Sequence, residues 1–210
     1  MSSEHPQAQI RLTHFDASVY EPSDDSFTLV DALCAAAANW RSSSPEIVLE
    51  VGCGSGYIIC SIASILKSLG HTALMLATDI NANATAVTSG TLKAHQVAAV
   101  DILCAEFAKP LMHRLRHRVD LLVFNPPYVP TPLEEVQRQG IAQAWAGGPH
   151  GRVIIDQFLP LVAELLSDHG QLFLVTIAQN DPQGILQELR KYDLTGEVCA
   201  TLHRAFPWQA

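Results

Sequence analysis

The sequence is short of charge, and of positive charge most of all. Charged residues make up 16% of its 210 residues, and 13 Lys and Arg stand against 21 Asp and Glu, a net charge of -8 at pH 7. Affinity for a phosphate backbone rests on lysine and arginine, so this balance argues against a broad duplex-binding face. The one basic cluster, His113-Arg114-Leu115-Arg116-His117-Arg118, reads as the solvated end of a short helix. His113 and His117 have a third ligand nowhere near in sequence, so no metal site is expected. The five cysteines, Cys34, Cys53, Cys60, Cys104 and Cys199, are odd in number and contain no Cys-x-x-Cys pair. That argues against a zinc cluster or a disulfide framework and leaves small, reduced core residues. No apolar run reaches the length of a membrane span, and residues 1–10 have neither the basic start nor the apolar centre of a signal peptide. A cytoplasmic protein is expected, with the nucleus also open to it. Internal repeats, low-complexity tracts and the Gly-x-Gly-x-x-Gly of dinucleotide enzymes are all missing.

What is present describes one domain. Hydrophobic residues make up 48% of the chain, whose length suits one well-buried domain and is too short for two comfortable ones. Residues 1–18 are polar and aperiodic and are expected to be a flexible N-terminus, with a single domain over 19–210. Ser23 reads as an N-cap with acids in the first turn, and Phe27, Leu29, Val30, Leu33 and the alanines to Ala38 predict a helix. Strand and helix then alternate. Strands are expected at 47–51, 73–78, 97–103, 119–124 and 171–176, helices over 57–69, 81–95, 152–166 and 182–191, and a last strand near 197–202. Such alternation is the sign of an α/β fold, a doubly wound and mostly parallel sheet with helices on both faces. The connection over 130–151 is long, and long connections in compact domains are functional or disordered.

Chemistry is expected in the run Val119-Asp120-Leu121-Leu122-Val123-Phe124-Asn125-Pro126-Pro127-Tyr128. Its apolar first half fits a central parallel strand covered on both faces. Pro126 and Pro127 remove two successive backbone donors and end the ladder. Asn125 is left at the carboxyl end of a strand, where open α/β sheets place their ligands. Its side-chain oxygen and the Pro126 carbonyl can accept from a planar NH2 group, with the Tyr128 ring against its face. The plainer reading is a proline-marked loop with Asn125 as a turn former.

A second group of residues stands at the ends of the earlier strands. Gly52-Cys53-Gly54-Ser55-Gly56 lets backbone approach a ligand at a helix N-terminus, and Glu50 before it suits a cationic, amine-bearing ligand better than a pyrophosphate. Asp79 ends the second strand with two oxygens for two ribose hydroxyls. Glu106 follows the third and can hold an adenine amine. Each acid alone also reads as a strand-end cap; three at successive strand ends beside one glycine turn point to a nucleotide-like ligand.

Glu50-Val51-Gly52-Cys53-Gly54-Ser55-Gly56, Asp79-Ile80-Asn81 and Asn125-Pro126-Pro127-Tyr128 resemble the motifs of class I, Rossmann-like methyltransferases that methylate planar nitrogens. More narrowly, residues 19–27 (Val-Tyr-Glu-Pro-Ser-Asp-Asp-Ser-Phe), residues 120–129, Ala144-Trp145-Ala146-Gly147-Gly148 and Leu174-Val175-Thr176 make the chain similar to the eukaryotic HemK-like glutamine methyltransferases, over about residues 19–195. The resemblance implies S-adenosyl-L-methionine as cofactor. As acceptor it implies the glutamine amide in the Gly-Gly-Gln motif of the class 1 translation termination factor. It also implies Glu50 and Gly52 at the methionine end of the cofactor, Gly54 and Gly56 among the other cofactor-binding residues, Asp79 at the ribose, Glu106 and Phe107 at the adenine, and Ser26 above. Asn125, Pro126, Pro127 and Tyr128 would surround the glutamine, Asn125 facing the cofactor as well.

Two departures stand out: Glu106 replaces the family's usual Asp, and the final antiparallel strand that relatives form beyond the region of Leu202 is expected to be missing. A protein (histone) lysine and an adenine N6 in nucleic acid are the alternative acceptors, the second set against the acidic charge balance. The resemblance further implies a heterodimer with a small zinc-binding methyltransferase activator subunit. Strand 97–104, apolar but for Asp101, is the expected edge to which that subunit adds. The other cover for this edge would be the chain's own N-terminal residues.

Overall fold

The computed structural model describes residues 5–40, 44–136, 138 and 140–202. Strands β1 (Ile47–Val51), β2 (Leu74–Asp79), β3 (Val100–Cys104), β4 (Val119–Phe124) and β5 (Leu166–Leu174) form one parallel sheet in the order β3-β2-β1-β4-β5. The helices are α1 (Asp24–Trp40), α2 (Tyr57–Ser68), α3 (Ala82–Ala94), α4 (Met112–Leu115), α5 (Leu133–Val136), α6 (Val153–Leu165) and α7 (Pro182–Arg190). This is the expected doubly wound α/β fold. No helix among the described residues is long and apolar enough to cross a membrane.

The strand pleat sends alternate residues into two cores. Val48, Leu121 and Val123 pack with Leu33 of α1 and Ile59 and Ile62 of α2, while Leu49, Val51, Leu122 and Phe124 pack with Ile155, Phe158 and Leu159 of α6. With both faces covered, β4 has no wet side, which is why its sequence runs apolar instead of alternating. Each such side chain contributes about 1.5–3 kcal/mol by leaving water. A strand anchored on both faces holds its carboxyl end firmly.

Four expectations need correction. Strand β3 starts at Val100 rather than 97, and β5 starts at Leu166, with a register shift against β4 between Val119 and Leu121. Residues 197–202 form no strand: they run exposed and pair with no strand among the described residues, and strand propensity without a neighbouring ladder leaves backbone groups to water. No antiparallel strand occurs among the described residues, and 203–210 lie outside them. Finally, residues 5–18 are not loose but lie across α2 and α3. Ala8 is buried and its N–H donates to Ser61 Oγ, the Gln9 N–H to His95 Nε2 and the His14 N–H to Thr91 Oγ1. Among the described residues β3 is an edge paired only with β2, so this strap adds no strand there.

Candidate active site

Strand register decides which residues meet. Val51 lies opposite Phe124 on one side and Thr78 on the other, and Asp79 lies opposite Cys104. Gly52, Asn125, Asp79 and, slightly further on, Glu106 therefore leave four adjacent strands at one end of the sheet. Between β1 and β4 the strand order reverses, and open α/β sheets bind ligands outside such a point.

The glycine turn follows β1 with φ of +67° at Gly52, +49° at Gly54 and +76° at Gly56, the left-handed region that suits a residue without Cβ. A Cβ on Gly56 would also come within 2.9 Å of Thr88 Cα on α3. Asp79 closes the turn from the neighbouring strand: its Oδ2 accepts from Gly54 N–H at 2.9 Å and its Oδ1 from Asn81 N–H at 2.8 Å. Burial pushes the Asp79 carboxyl above its usual range, opposed by these backbone donors. A carboxylate offers about four acceptor sites, so these backbone donors leave capacity for a ligand hydroxyl.

Glu50 lies at the end of β1, beneath the glycine turn. It is 1% exposed, and its Oε2 accepts from Ile59 N–H at 3.0 Å, which caps the first turn of α2 from beneath the glycines. Burial pushes its carboxyl well above the usual range and Asp79 adds to the rise, against the Ile59 bond.

The β3 side is more open. The Glu106 side chain is 46% exposed and pairs with Lys109 at 2.6 Å. Phe107 packs its ring against the core, with centroids 6.2 Å from Phe124 and 5.8 Å from Phe158. A cleft of about 320 Å³ beside the end of β2 is bordered by Ser18, Ile80, Asn81, Gly140 and Gln143. A larger one, about 510 Å³, lies away from these acids along β3 and α3. Only the smaller adjoins the strand-end residues.

At the end of β4, Asn125 Nδ2 donates to Asp25 Oδ2 at 3.0 Å and the Tyr128 hydroxyl donates to the same oxygen at 2.9 Å. A carboxylate can only accept, so the amide nitrogen faces Asp25 and Asn125 Oδ1 faces away. That Oδ1 is buried with no hydrogen-bond partner among the described residues. Leaving such an acceptor unmade costs about 1–3 kcal/mol, which a ligand N–H would recover. Burial first, and the Asp25 charge second, push the Tyr128 hydroxyl upward, so it stays a donor. Pro126 is buried and Pro127 half-buried beside them. Ser26, expected above a cofactor, is buried and turned to Asp25 Oδ1, through its N–H at 2.7 Å and its hydroxyl at 3.2 Å.

Sequence reasoning places neither Asp25 nor Asn180 here, yet both hold the motif. Asp25 reads as a first-turn acid of α1, and Asn180 as one more polar residue of a turn. Asn180 is fully buried, and its Nδ2 donates to the carbonyls of Tyr128 at 2.9 Å and His150 at 2.8 Å while its Oδ1 accepts from Ile177 N–H at 2.8 Å. Gly151 passes so close that a Cβ there would lie 1.9 Å from the Tyr128 carbonyl oxygen. Val129 N–H donates to Trp145 O at 2.9 Å and Gly147 N–H to Val129 O at 2.8 Å. The long connection is thus a wall of the site.

The comparisons with known proteins agree with this geometry. A family model described as "Methyltransferase small domain" matches residues 29–197. "Methyltransferase HEMK2" of Homo sapiens is 47% identical over 180 residues, covering 86% of this chain and 81% of its own. "eRF1 methyltransferase catalytic subunit mtq2" of Schizosaccharomyces pombe is 34% identical over 196 residues, covering 88% and 83%. Among solved structures, the ribosomal protein L11 methylase of Lactobacillus delbrueckii subsp. bulgaricus shares the fold with a TM-score of 0.52 at 17% identity, over 80% of this chain and 68% of that one. With its glycine turn, strand-end acids and Asn-Pro-Pro-Tyr gathered at one end of a parallel sheet, the chain belongs to the methyltransferase small-domain family.

Proposed function

We propose that this chain transfers the methyl group of S-adenosyl-L-methionine to a glutamine side-chain amide, that of the Gly-Gly-Gln motif in the class 1 translation termination factor. The observation that carries the reading is Asn125 Oδ1, a buried acceptor without a donor whose amide is held so that it can only accept. The fission-yeast relative's name, an eRF1 methyltransferase subunit, supports the same acceptor.

The residues present fit the cofactor. Above Gly54 a Cβ would meet nothing nearer than Gly52 O at 4.0 Å, which leaves space for a ligand against the turn, and Asp79 has lone pairs for ribose hydroxyls. When bound, the cofactor supplies a methyl group already activated on sulfur. The amide nitrogen is a poor nucleophile because its lone pair is delocalised, so alignment is the protein's main task, and alignment can supply about 7–11 kcal/mol at its upper end. Asn125 Oδ1 and the Pro126 carbonyl fix the NH2 group and favour the positive charge that develops on it during transfer. Incubation with methyl-labelled cofactor should label a Gly-Gly-Gln peptide and spare Gly-Gly-Lys and an adenine-containing oligonucleotide. Label on lysine or adenine instead would replace this reading.

The same reading includes a partner, a small activator subunit that adds a strand to β3, and a cytoplasmic or nuclear setting. Support comes from the free edge of β3 and from the cleft beside it, lined by Leu92, Val97, Val100 and Ile102. Ala99 is exposed whereas Val100 packs on the core, so Ala99→Lys tests the edge without disturbing the fold. It should abolish co-purification with the activator; unchanged co-purification would remove the entry to β3 from the interface.

A further inference from the structure

Asp25 and Asn125 lie 100 residues apart in the chain, and a carboxylate joins them. Its two oxygens have separate duties. Oδ1 accepts from the Ser26 N–H and hydroxyl and from the Ser23 hydroxyl at 3.0 Å, and Ser23 Oγ is itself 2.7 Å from the Tyr20 hydroxyl. The Ser23 hydroxyl thus braces Asp25. Helix α1 is anchored by buried Leu29, Val30 and Leu33, so the position of Oδ2 is fixed from behind. Oδ2 then takes Asn125 Nδ2 and the Tyr128 hydroxyl.

An asparagine amide is nearly symmetric in shape, and its ends differ in that one donates and the other accepts. Turned half a revolution, Asn125 would aim two N–H donors at the ligand position and could not hold an NH2 group. Asp25 excludes that state, because an amide oxygen facing Oδ2 would set two acceptors together with no proton between them. A helix-terminal acid serving only the α1 dipole would need none of this reach across the site.

We propose that Asp25 is a positioning residue that sets the polarity of the acceptor site: it holds the Asn125 oxygen toward the methyl-accepting nitrogen and so selects substrates that present N–H donors. Its kinetic consequence rests on the glutamine-amide reading above; its structural consequence rests on Asn125 alone.

The test uses the full chain with Asp25→Ala and the isosteric Asp25→Asn, which keeps one acceptor but lets the two amides settle either way. Turnover on the Gly-Gly-Gln peptide should fall up to about a hundredfold in Asp25→Ala and about tenfold in Asp25→Asn, the scale of a hydrogen bond to a charged group. Cofactor affinity by calorimetry should stay at the wild-type value. In protein labelled with [15N]asparagine, the Asn125 side-chain amide, identified by its loss in Asn125→Ala, should be protected from exchange in wild type and unprotected in Asp25→Ala. Unchanged turnover in Asp25→Asn, equal protection in both proteins, or cofactor affinity falling in step with turnover overturns the proposal. If wild type leaves the peptide unlabelled while protection still depends on Asp25, the substrate reading fails and the positioning role stands.

Discussion

Asn125 and Glu106 both stand just past the carboxyl ends of parallel strands, yet the protein holds them in different ways. On the Asn125 side, Asp25, Tyr128 and Asn180 form a chain of hydrogen bonds in buried or half-buried surroundings. On the Glu106 side, the carboxylate is 46% exposed and its lysine partner 55% exposed, while the neighbouring Phe107 ring has gone to the core. Buried hydrogen bonds resist displacement because an unmade one costs about 1–3 kcal/mol. An exposed ion pair is worth about 0–1 kcal/mol and yields readily to a ligand. The half that must align the reacting nitrogen is the stiff one, and the half expected to meet the cofactor's base is soft.

That contrast can be broken most forcefully at Asn125. Asn125→Ala should lower single-turnover transfer at least about a hundredfold, the scale of one lost preorganised group, and leave cofactor affinity by calorimetry intact. Equal losses in both would mean that the stiff half serves the cofactor instead. Asp79→Ala sharpens the division between donor and acceptor. It should weaken cofactor binding by about 1.5–3 kcal/mol, whereas unchanged affinity would remove Asp79 from the site.

Glu50 tests what stiffness costs the fold. A carboxyl whose folded pKa is raised above the unfolded value of 4.5 binds its proton more tightly when folded. Its stability contribution is thus fully present below that value and is lost as pH rises toward the folded one. Melting temperatures over roughly pH 5 to 8 should fall in wild type and fall less steeply in Glu50→Gln, which keeps an acceptor for Ile59 N–H. Parallel curves would contradict the burial of a titrating group there. The smallest effect belongs to the soft side: Glu106→Ala should weaken cofactor binding by less than about 1 kcal/mol, and a loss larger than that of Asp79→Ala would invert the comparison.

Much of this was legible in the sequence where local pattern and burial agree. The apolar run of β4, the strand-helix alternation and the glycine turn each report a backbone requirement that few residue types meet. The strand ends follow from them, which is how Asp79 and Asn125 could be placed before any contact was known. Asp25 and Asn180 were not legible because their roles come from contacts 100 and 52 residues away in the chain, and neither spacing has a local signature. Glu50 and Phe107 show the converse. Their places at the ends of β1 and β3 were legible, but how deep a side chain at a strand end lies depends on what packs over it, here the first turn of α2 for one and Phe158 for the other. The stretch 197–202 has the composition of a strand and, among the described residues, no strand to pair with.

The central claim is that the buried Asn125 oxygen receives an N–H of a glutamine side chain. Fragment-ion mass spectrometry of a termination-factor fragment carrying Gly-Gly-Gln, after incubation with the protein and S-adenosyl-L-methionine, reports the modified atom directly. The account predicts one methyl group on the side-chain nitrogen of that glutamine, absent when Asn125→Ala replaces the wild-type protein. A methyl group on a lysine of the fragment, or on the glutamine with Asn125→Ala as efficient as wild type, would contradict it.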